Sequence, residues 1–310
     1  MNKKLALFTA FLSICLFTIG QNVGSSPEYI KALTSEWKGE RFPDGRPKVS
    51  DDLLERLKNI SIEEAWGVLR NRGYHNQYEG NWEIINPDVP MTGRVVTAQY
   101  MPLRPDYEKY IKEHGKLENR SQQGGTNSWP IDVLVEGDVY VADSYGKIID
   151  GTLIGDNLGN SIYAKSKRGV VFNGSVRDQE GLSQIEGFNG WIKGQDPSYI
   201  MQMSLTSINA PIRIGRAIVL PGDVVLAKKY GVIFIPAHLL ENLVITAEVT
   251  ALRDQFGHQR LREGKYKPGQ IDSQWSDEIK KDFMNWLNNY PGKLPMSKLE
   301  LDDYFKERNW

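Results

Sequence analysis

The stretch from about residue 91 to 245 alternates short strand-like runs with helices, and this alternation limits the possible folds more than any other feature. Two of the runs, 223–227 and 232–235, are separated by only four residues, which is typical of a hairpin. Parallel neighbours need long crossovers, so this tight turn favours a mixed α/β layer fold over a purely parallel, doubly wound sheet. The other strand-like runs lie at 93–98, 138–142, 169–174 and 217–220.

Helical patterns flank this stretch on both sides. Ser50 is followed by two acidic residues, and Ser61 has Glu64 three residues later, which predicts two helix starts and one capping box. Near the other end of the chain, apolar residues four apart predict a helix with one apolar face. These residues are Trp275, Ile279, Phe283 and Leu287.

We therefore divide the chain into four predicted parts. Residues 1–20 are separate from the globular protein, 21–90 form an N-terminal helical segment, 91–245 form the α/β core, and 246–310 form a helical C-terminal extension. A polar, charged insertion at 104–129, predicted as a helix followed by a loop, interrupts the core.

The first twenty residues are predicted to be a secretory signal peptide. Lys3 and Lys4 precede an apolar run from residue 5 to 19, and Gly20 offers a small residue for cleavage. The run is shorter than the roughly 20 residues that span a bilayer. We expect a periplasmic or secreted chain with no stable membrane association after cleavage. An uncleaved membrane anchor is the alternative.

Composition excludes several classes of site. The only cysteine, Cys15, lies in the predicted signal, so the mature chain has no disulfide, catalytic thiolate or thiolate metal site. A lipidated cysteine normally follows a small residue, and Ile14 is not small, which argues against a lipoprotein. The four histidines lack metal-ligand spacing, which argues against a histidine zinc site. With 38 basic and 39 acidic residues, the charge is balanced and predicts no nucleic-acid partner.

The segment from Gly155 to Asp178 carries the most chemical information. It has the order loop, helix, strand, loop. Because the first loop opens a helix, the backbone N–H groups of Asn157, Leu158 and Gly159 are candidates to bind a substrate carboxylate.

The second loop places Arg177 and Asp178 side by side. A guanidinium offers a fork of donors to a carboxylate or oxyanion. Asp178 and Asp156 are hard oxygen ligands suited to Mg²⁺ or Mn²⁺. Together these groups suit cleavage of a bond beta to the carbonyl of a 2-oxo acid, with the enolate stabilised by metal and Arg177. The alternative is that both aspartates are turn or cap residues and Arg177 forms an ordinary ion pair.

The spacing of these residues resembles that of a known family. Asp156, twenty intervening residues, and then Arg177-Asp178 are similar to the D-x20-R-D signature of the RraA-like family. The resemblance spans roughly residues 60 to 245, and its flanking matches are 155–158, 168–170, 174–178, 221–225, Gly231-Val232 and Pro236. The family includes class II pyruvate aldolases for 4-hydroxy-4-methyl-2-oxoglutarate and 4-carboxy-4-hydroxy-2-oxoadipate, and also the regulator of ribonuclease activity A.

The resemblance implies a swivelling β/β/α core similar to phosphohistidine domains, assembled as a trimer or hexamer with active sites between subunits. It implies that Asp178 holds the metal ion, Arg177 contacts the substrate's oxo or carboxylate group, and Asp156 hydrogen-bonds metal-bound water or assists proton transfer. The carboxylate-binding N–H groups it implies are those of Asn157, Leu158 and Gly159. The implied function is a metal-dependent lyase for a small molecule. The alternative is a non-catalytic binding or regulatory protein with the same fold.

Some features depart from the family pattern. Asn173 stands where an aspartate is frequent, and 228–230 is basic where an acidic stretch is usual. The insertion and the C-terminal extension are larger than in compact members. An exported copy points to another substrate, such as a sugar-derived oxo compound.

Four further side chains are candidates with ordinary alternatives. His75 could line a cleft or lie in a surface loop, and Lys193 could contact substrate from a strand-like stretch. Trp129 could stack on a sugar or lie in the core. Glu263 could reach a neighbouring subunit's active site or form an exposed ion pair.

Overall fold

The computed structural model of the protein describes residues 22–307, so the predicted signal peptide lies outside the described residues. The strands are β1 (Tyr78–Glu79), β2 (Glu83–Ile84), β3 (Met91–Pro102), β4 (Asp138–Asp143), β5 (Val170–Asn173), β6 (Ser175–Val176), β7 (Gly190–Ile192), β8 (Gly194–Gln195), β9 (Met203–Ile208), β10 (Ile212–Ile214), β11 (Ala217–Val219), β12 (Val224–Lys228) and β13 (Gly231–Ile235). The helices are α1 (Pro27–Leu33), α2 (Asp51–Leu57), α3 (Ile62–Asn71), α4 (Pro105–Leu117), α5 (Trp129–Asp132), α6 (Asp156–Ser166), α7 (Gln179–Ser183), α8 (Leu240–Arg262), α9 (Pro268–Ile271), α10 (Asp277–Asn288) and α11 (Lys298–Glu307).

A nine-stranded mixed sheet forms the centre of the molecule. Its order is β1-β13-β12-β3-β4-β5-β7-β2, and β9 pairs with the far end of β3. The four strands β3, β4, β5 and β7 are parallel neighbours, whereas β12 and β13 form the expected antiparallel hairpin. The predicted α/β fold with N-terminal helices and a helical C-terminal extension is confirmed.

Alternation along the central strands divides their side chains between two cores. Val96, Tyr140 and Phe172 face a core that includes residues of α4 and α6. Val95 and Val139 face the other side, where the β10–β11 hairpin covers the sheet. Because both faces are covered, the central strands consist almost entirely of buried residues.

The N-terminal segment packs on the hairpin end of the sheet. Helices α2 and α3 form a third core with α8, β12 and β13. The predicted capping box is present, because Ser61 accepts from the Glu64 N–H while the Glu64 carboxylate accepts from the Ser61 N–H. The segment also contributes β1 and β2 to the two ends of the sheet, which the helical interpretation of 21–90 missed.

The C-terminal extension has its own aromatic core. The four residues predicted to share a face are all buried, and Phe283 stacks edge-on against both Trp275 and Phe256. Helix α8 runs unbroken through the predicted boundary at 245, so the extension continues a helix of the core. Among residues 22–307, no helix is both long and apolar enough to cross a membrane.

Candidate active site

Backbone pairing brings the two ends of the spaced motif together. Strands β4 and β5 are parallel neighbours, and α6 lies in the crossover between them. The chain entering α6 then runs beside the chain leaving β5: the Leu153 N–H donates to the Ser175 carbonyl at 3.0 Å, and the Arg177 N–H donates to the Ile154 carbonyl at 3.0 Å. The twenty residues between Asp156 and Arg177 are therefore the length of one helix and one strand.

Two glycines allow the acidic side chains to approach each other's chain segment. A Cβ added to Gly155 would collide with the Asp178 carboxylate and would lie 2.9 Å from the Arg177 Nε atom. A Cβ added to Gly181 would lie 2.9 Å from both the Cβ and Oδ2 atoms of Asp156. Asp178 thus packs on Gly155, the residue before Asp156. Asp156 in turn packs on Gly181, three residues after Asp178.

The backbone of Asp178 adopts the left-handed conformation, with φ 55° and ψ 41°. Aspartate and asparagine tolerate this conformation better than most residues. The Asp178 carbonyl accepts from the Leu182 N–H at 2.9 Å, which starts α7. Its carboxylate lies 3.5 Å from the Arg177 Nε atom, and the two side chains are 44% and 41% exposed, so both remain accessible to a ligand.

The N-terminus of α6 offers fewer free donors than its sequence suggests. The Asn157 N–H donates to the Asp156 carboxylate at 2.7 Å, and the Gly159 N–H donates to the Gly155 carbonyl at 2.9 Å. The Leu158 N–H has no partner among residues 22–307 and is the one open donor of the predicted three. Gly159 is committed to the helix, and its bare Cα allows contact with Leu182 of α7.

The donor set fits a hydrated divalent ion. Within the described part of the chain, no three histidine, cysteine, aspartate or glutamate side chains converge as a closed metal cage. Mg²⁺ commonly binds one or two carboxylates and completes its coordination with water and substrate oxygens. The accessible Asp178 carboxylate, with Asp156 beside it, suits that mode of binding.

A polar cluster at the carboxyl ends of β4 and β5 was not predicted. Asp143 ends β4, and its carboxylate accepts from the Asn173 amide at 2.7 Å and from the Gln99 amide at 3.1 Å. Asn173 therefore donates a hydrogen bond to Asp143. An aspartate at position 173 would instead place a second negative charge next to Asp143. The available signal was Asp143 itself, a polar residue at the carboxyl end of a buried strand, the edge at which open α/β sheets bind ligands.

The four weaker candidates have other contacts. Trp129 is buried and its indole donates to the Ser121 carbonyl, so it lies in the core, as one of its two interpretations predicted, and not on a sugar-binding surface. The Lys193 ammonium donates to the Gly80 and Asn81 carbonyls and lies over the Trp82 ring, while burial lowers its pKa. His75 lies exposed in a loop, and Glu263 pairs with Arg260 at 2.9 Å.

Comparisons with known proteins bear on the family and the fold of this chain. The family model described as RraA-like, Aldolase/RraA, matches residues 47–234. The Streptomyces coelicolor protein RraAS2, an unusual member of the RNase ES inhibitor RraA protein family, is 24% identical, with 69% of this chain covering 100% of that chain at a TM-score of 0.59. An uncharacterized protein from Pseudomonas syringae pv. tomato is 18% identical, with 76% of this chain covering 99% of that chain at a TM-score of 0.57.

A third solved structure, described among novel cellulases from microbes associated with the gut ecosystem, is 16% identical. The match covers 74% of this chain and 94% of that chain, with a TM-score of 0.55. At these identities, the similarity of all three structures shows a shared fold alone.

Proposed function

The chain belongs to the RraA-like family, and from that premise we propose that it is a divalent-metal-dependent lyase that cleaves a bond beta to a carbonyl. The family includes both metal-dependent aldolases and non-catalytic ribonuclease inhibitors. The observation that carries the proposal is that the Asp178 carboxylate and Arg177 lie against Gly155, while Asp156, the residue after Gly155, packs on Gly181 of the helix that follows Asp178. The proposed substrate is a 2-oxo acid or a sugar-derived oxo compound.

Each residue has a role that follows from its position. Asp178 would hold Mg²⁺ or Mn²⁺ through its accessible carboxylate, with Asp156 binding the ion's waters. A bound ion would supply the Lewis acid that polarises the substrate's oxo group. Arg177 would donate to the oxo or carboxylate oxygens, and its charge would stabilise the enolate as the carbon–carbon bond breaks. The Leu158 N–H would bind the substrate carboxylate at the positive end of α6.

The proton must leave the substrate hydroxyl as the bond beta to the carbonyl breaks. The bonding electrons then form the enolate, and the hydroxyl carbon becomes a new carbonyl. Asp156 is the carboxylate at the site that remains to accept this proton, directly or through water, since Asp178 is assigned to the ion. Returning a proton to the enolate carbon releases the 2-oxo acid product.

A non-catalytic binding protein is the second candidate. It is favoured by the open site, where no three potential metal-ligating side chains of the described residues converge and both Arg177 and Asp178 are more than two-fifths exposed. On this alternative, the Arg177–Asp178 pair would contact a protein partner.

The test measures pyruvate release from 4-hydroxy-4-methyl-2-oxoglutarate by the full chain with Mg²⁺ or Mn²⁺, together with Mn²⁺ binding in the absence of substrate. Asp178→Asn keeps a residue that tolerates the left-handed backbone but removes the charge, so it should lose Mn²⁺ affinity without unfolding. Arg177→Ala should keep Mn²⁺ and lose turnover by about 10²-fold or more.

Arg104→Ala is the matched control, because it removes an exposed arginine that pairs with Asp106 at 2.9 Å. This variant should change neither measurement. Absence of Mn²⁺ binding at millimolar concentration would exclude the lyase and leave the binding protein. Metal binding without pyruvate release would instead direct the search to other oxo substrates.

We also propose export and assembly. The predicted signal would be cleaved after Gly20 and would deliver the chain to the periplasm or medium, which N-terminal sequencing of the protein from its host would test. The proposed trimer or hexamer follows the family, and light scattering on the purified protein would measure its mass. A monomer would contradict an active site shared between subunits.

A further inference from the structure

A cavity that contains no residue of the candidate active site lies under the N-terminal segment. Its volume is about 320 Å³, within the lower range of cavities that bind small molecules. It is lined by the chain after α1, the turn after α3, the β11–β12 connection and the turn before α8. The lining includes Glu36, Trp37, Tyr74, Leu220, Asp223 and His238.

Asp223 is the buried charged group of this cavity. It is 4% exposed, and one carboxylate oxygen accepts from the Leu220 N–H at 2.8 Å. No other hydrogen bond to this carboxylate is made within residues 22–307. Burial raises the pKa of Asp223 to about 7, because the one backbone hydrogen bond offsets little of the desolvation. A buried carboxylate with no cation to pair with would be stabilised by a cationic ligand.

Aromatic side chains form part of the cavity wall. The Trp37 indole donates to the Glu40 carbonyl at 2.8 Å, which fixes the ring, and the Tyr74 hydroxyl lies 3.4 Å from the His238 Nε2 atom. Aromatic rings attract organic cations through their quadrupoles. Among the described residues, no lysine or arginine lines the cavity, whereas Glu36 adds a second, exposed carboxylate.

Burial lowers the pKa of His238, so this ring adds no positive charge near neutral pH. The described lining is therefore acidic and aromatic, with an apolar contribution from Leu220. That combination disfavours anions and fits a positively charged group attached to an apolar body.

We propose that this cavity binds a small organic ammonium ion, with its charged group at Asp223 and its apolar body against Trp37 and Tyr74. The site is separate from the lyase proposal, since Asp156, Arg177 and Asp178 do not line it. A ligand bound there would connect the N-terminal segment to the sheet at β12.

Benzylammonium is a suitable probe because benzyl alcohol is its neutral counterpart and benzoate its anionic one. Titration calorimetry and saturation-transfer NMR on the full chain should show saturable millimolar or tighter binding of benzylammonium. Benzyl alcohol should bind at least about tenfold more weakly, and benzoate should not bind.

Two variants locate the site. Asp223→Asn keeps an oxygen that accepts from the Leu220 N–H but removes the charge, and it should weaken benzylammonium binding by about tenfold. Trp37→Leu tests the aromatic wall independently and should weaken benzylammonium binding by about fivefold. Asp88→Asn is the control, since it removes the same charge from a side chain that is 92% exposed.

Equal binding of benzylammonium and benzyl alcohol would overturn the proposal. So would the absence of saturable benzylammonium binding, which is the result expected if another segment or a second copy of the chain fills the cavity. If Asp223→Asn does not fold, Trp37→Leu is sufficient as a test. An unchanged dissociation constant for benzylammonium in Trp37→Leu would then overturn the proposal.

Discussion

Gly155 controls the placement of two charged side chains of the candidate site. Its φ of −118° is open to any residue, so its requirement is for space and not for backbone freedom. The Asp178 carboxylate occupies the position that a Cβ would take, and the Arg177 Nε atom lies 2.9 Å from that position. A methyl group there must displace the Asp178 carboxylate, the Arg177 side chain or both.

We predict that Gly155→Ala weakens Mn²⁺ binding and turnover by about 10²-fold, because small displacements of catalytic groups have effects of that size. The protein should remain folded by circular dichroism. Gly67→Ala is the control: Gly67 lies inside α3 with open space at its Cβ position, so alanine should stabilise the protein by about 0.5–1 kcal/mol. Unchanged Mn²⁺ affinity in Gly155→Ala would show that the Asp178 carboxylate does not hold the ion.

Asp223 gives a second prediction at this scale, on the pH dependence of stability. Its folded pKa of about 7 lies above the ordinary 3.8, so the folded state holds the proton more tightly than the unfolded state between these values. The free energy of unfolding should therefore fall as pH rises from 4 to 8, by at most about 4 kcal/mol from this group.

Asp223→Asn should lack this component. The difference in unfolding free energy between variant and wild type, measured by urea denaturation at several pH values, should grow in the variant's favour as pH rises. A difference independent of pH would mean that Asp223 titrates normally.

At the scale of elements, the sequence indicated the parts that have a local signal. The hairpin of β12 and β13, the capping box of α3 and the apolar face of α10 follow from residues close together in the chain. Strands β1 and β2 have two residues each, and their identity depends on β13 and β7, more than a hundred residues away. No local pattern reveals such pairing.

The candidate site divides in the same way. The spacing of Asp156 from Arg177 was visible because one helix and one strand separate them along the chain. The packing of Asp156 on Gly181 depends on a tertiary contact, whereas the Gly159 N–H makes an ordinary i→i−4 hydrogen bond that follows from where α6 begins. The polar cluster at Asp143 could not be predicted locally, because its partners Asn173 and Gln99 come from two other strands.

The polar insertion also contacts the site. The Asn127 amide donates to the Leu153 carbonyl at 2.7 Å, two residues before Gly155. We predict that Asn127→Ala loosens the chain entering α6, so that hydrogen exchange at 152–156 becomes faster. Stability should fall by about 1 kcal/mol, as for the loss of one partly buried hydrogen bond.

Gln123→Ala is the control for that experiment, since Gln123 lies exposed in the same insertion and makes its hydrogen bonds through the backbone. Exchange that is equal in Asn127→Ala, Gln123→Ala and wild type would mean that the insertion does not support the site.

At the scale of the whole molecule, a buried ion pair connects the N-terminal segment to the central sheet. Both terminal nitrogens of Arg46 donate to the Asp138 carboxylate, at 2.9 and 3.0 Å, and the two side chains are 1% and 0% exposed. Asp138 begins β4, a central strand of the sheet. The pair therefore fixes the N-terminal segment, which covers the cavity, against the centre of the sheet.

We predict that Arg46→Met destabilises the protein by about 3–5 kcal/mol, because it leaves the Asp138 carboxylate buried without its main partner. The double variant Arg46→Met/Asp138→Leu should be less destabilised than Arg46→Met alone, since it removes both charges. Its stability should still be below wild type, because the Asp138 carboxylate also accepts from the Val135 N–H. Urea denaturation of both variants measures these differences, and Arg104→Ala, which removes only an exposed pair, should leave stability nearly unchanged. A double variant less stable than Arg46→Met would mean that Asp138 holds the strand through other contacts, and that the ion pair does not connect the two parts.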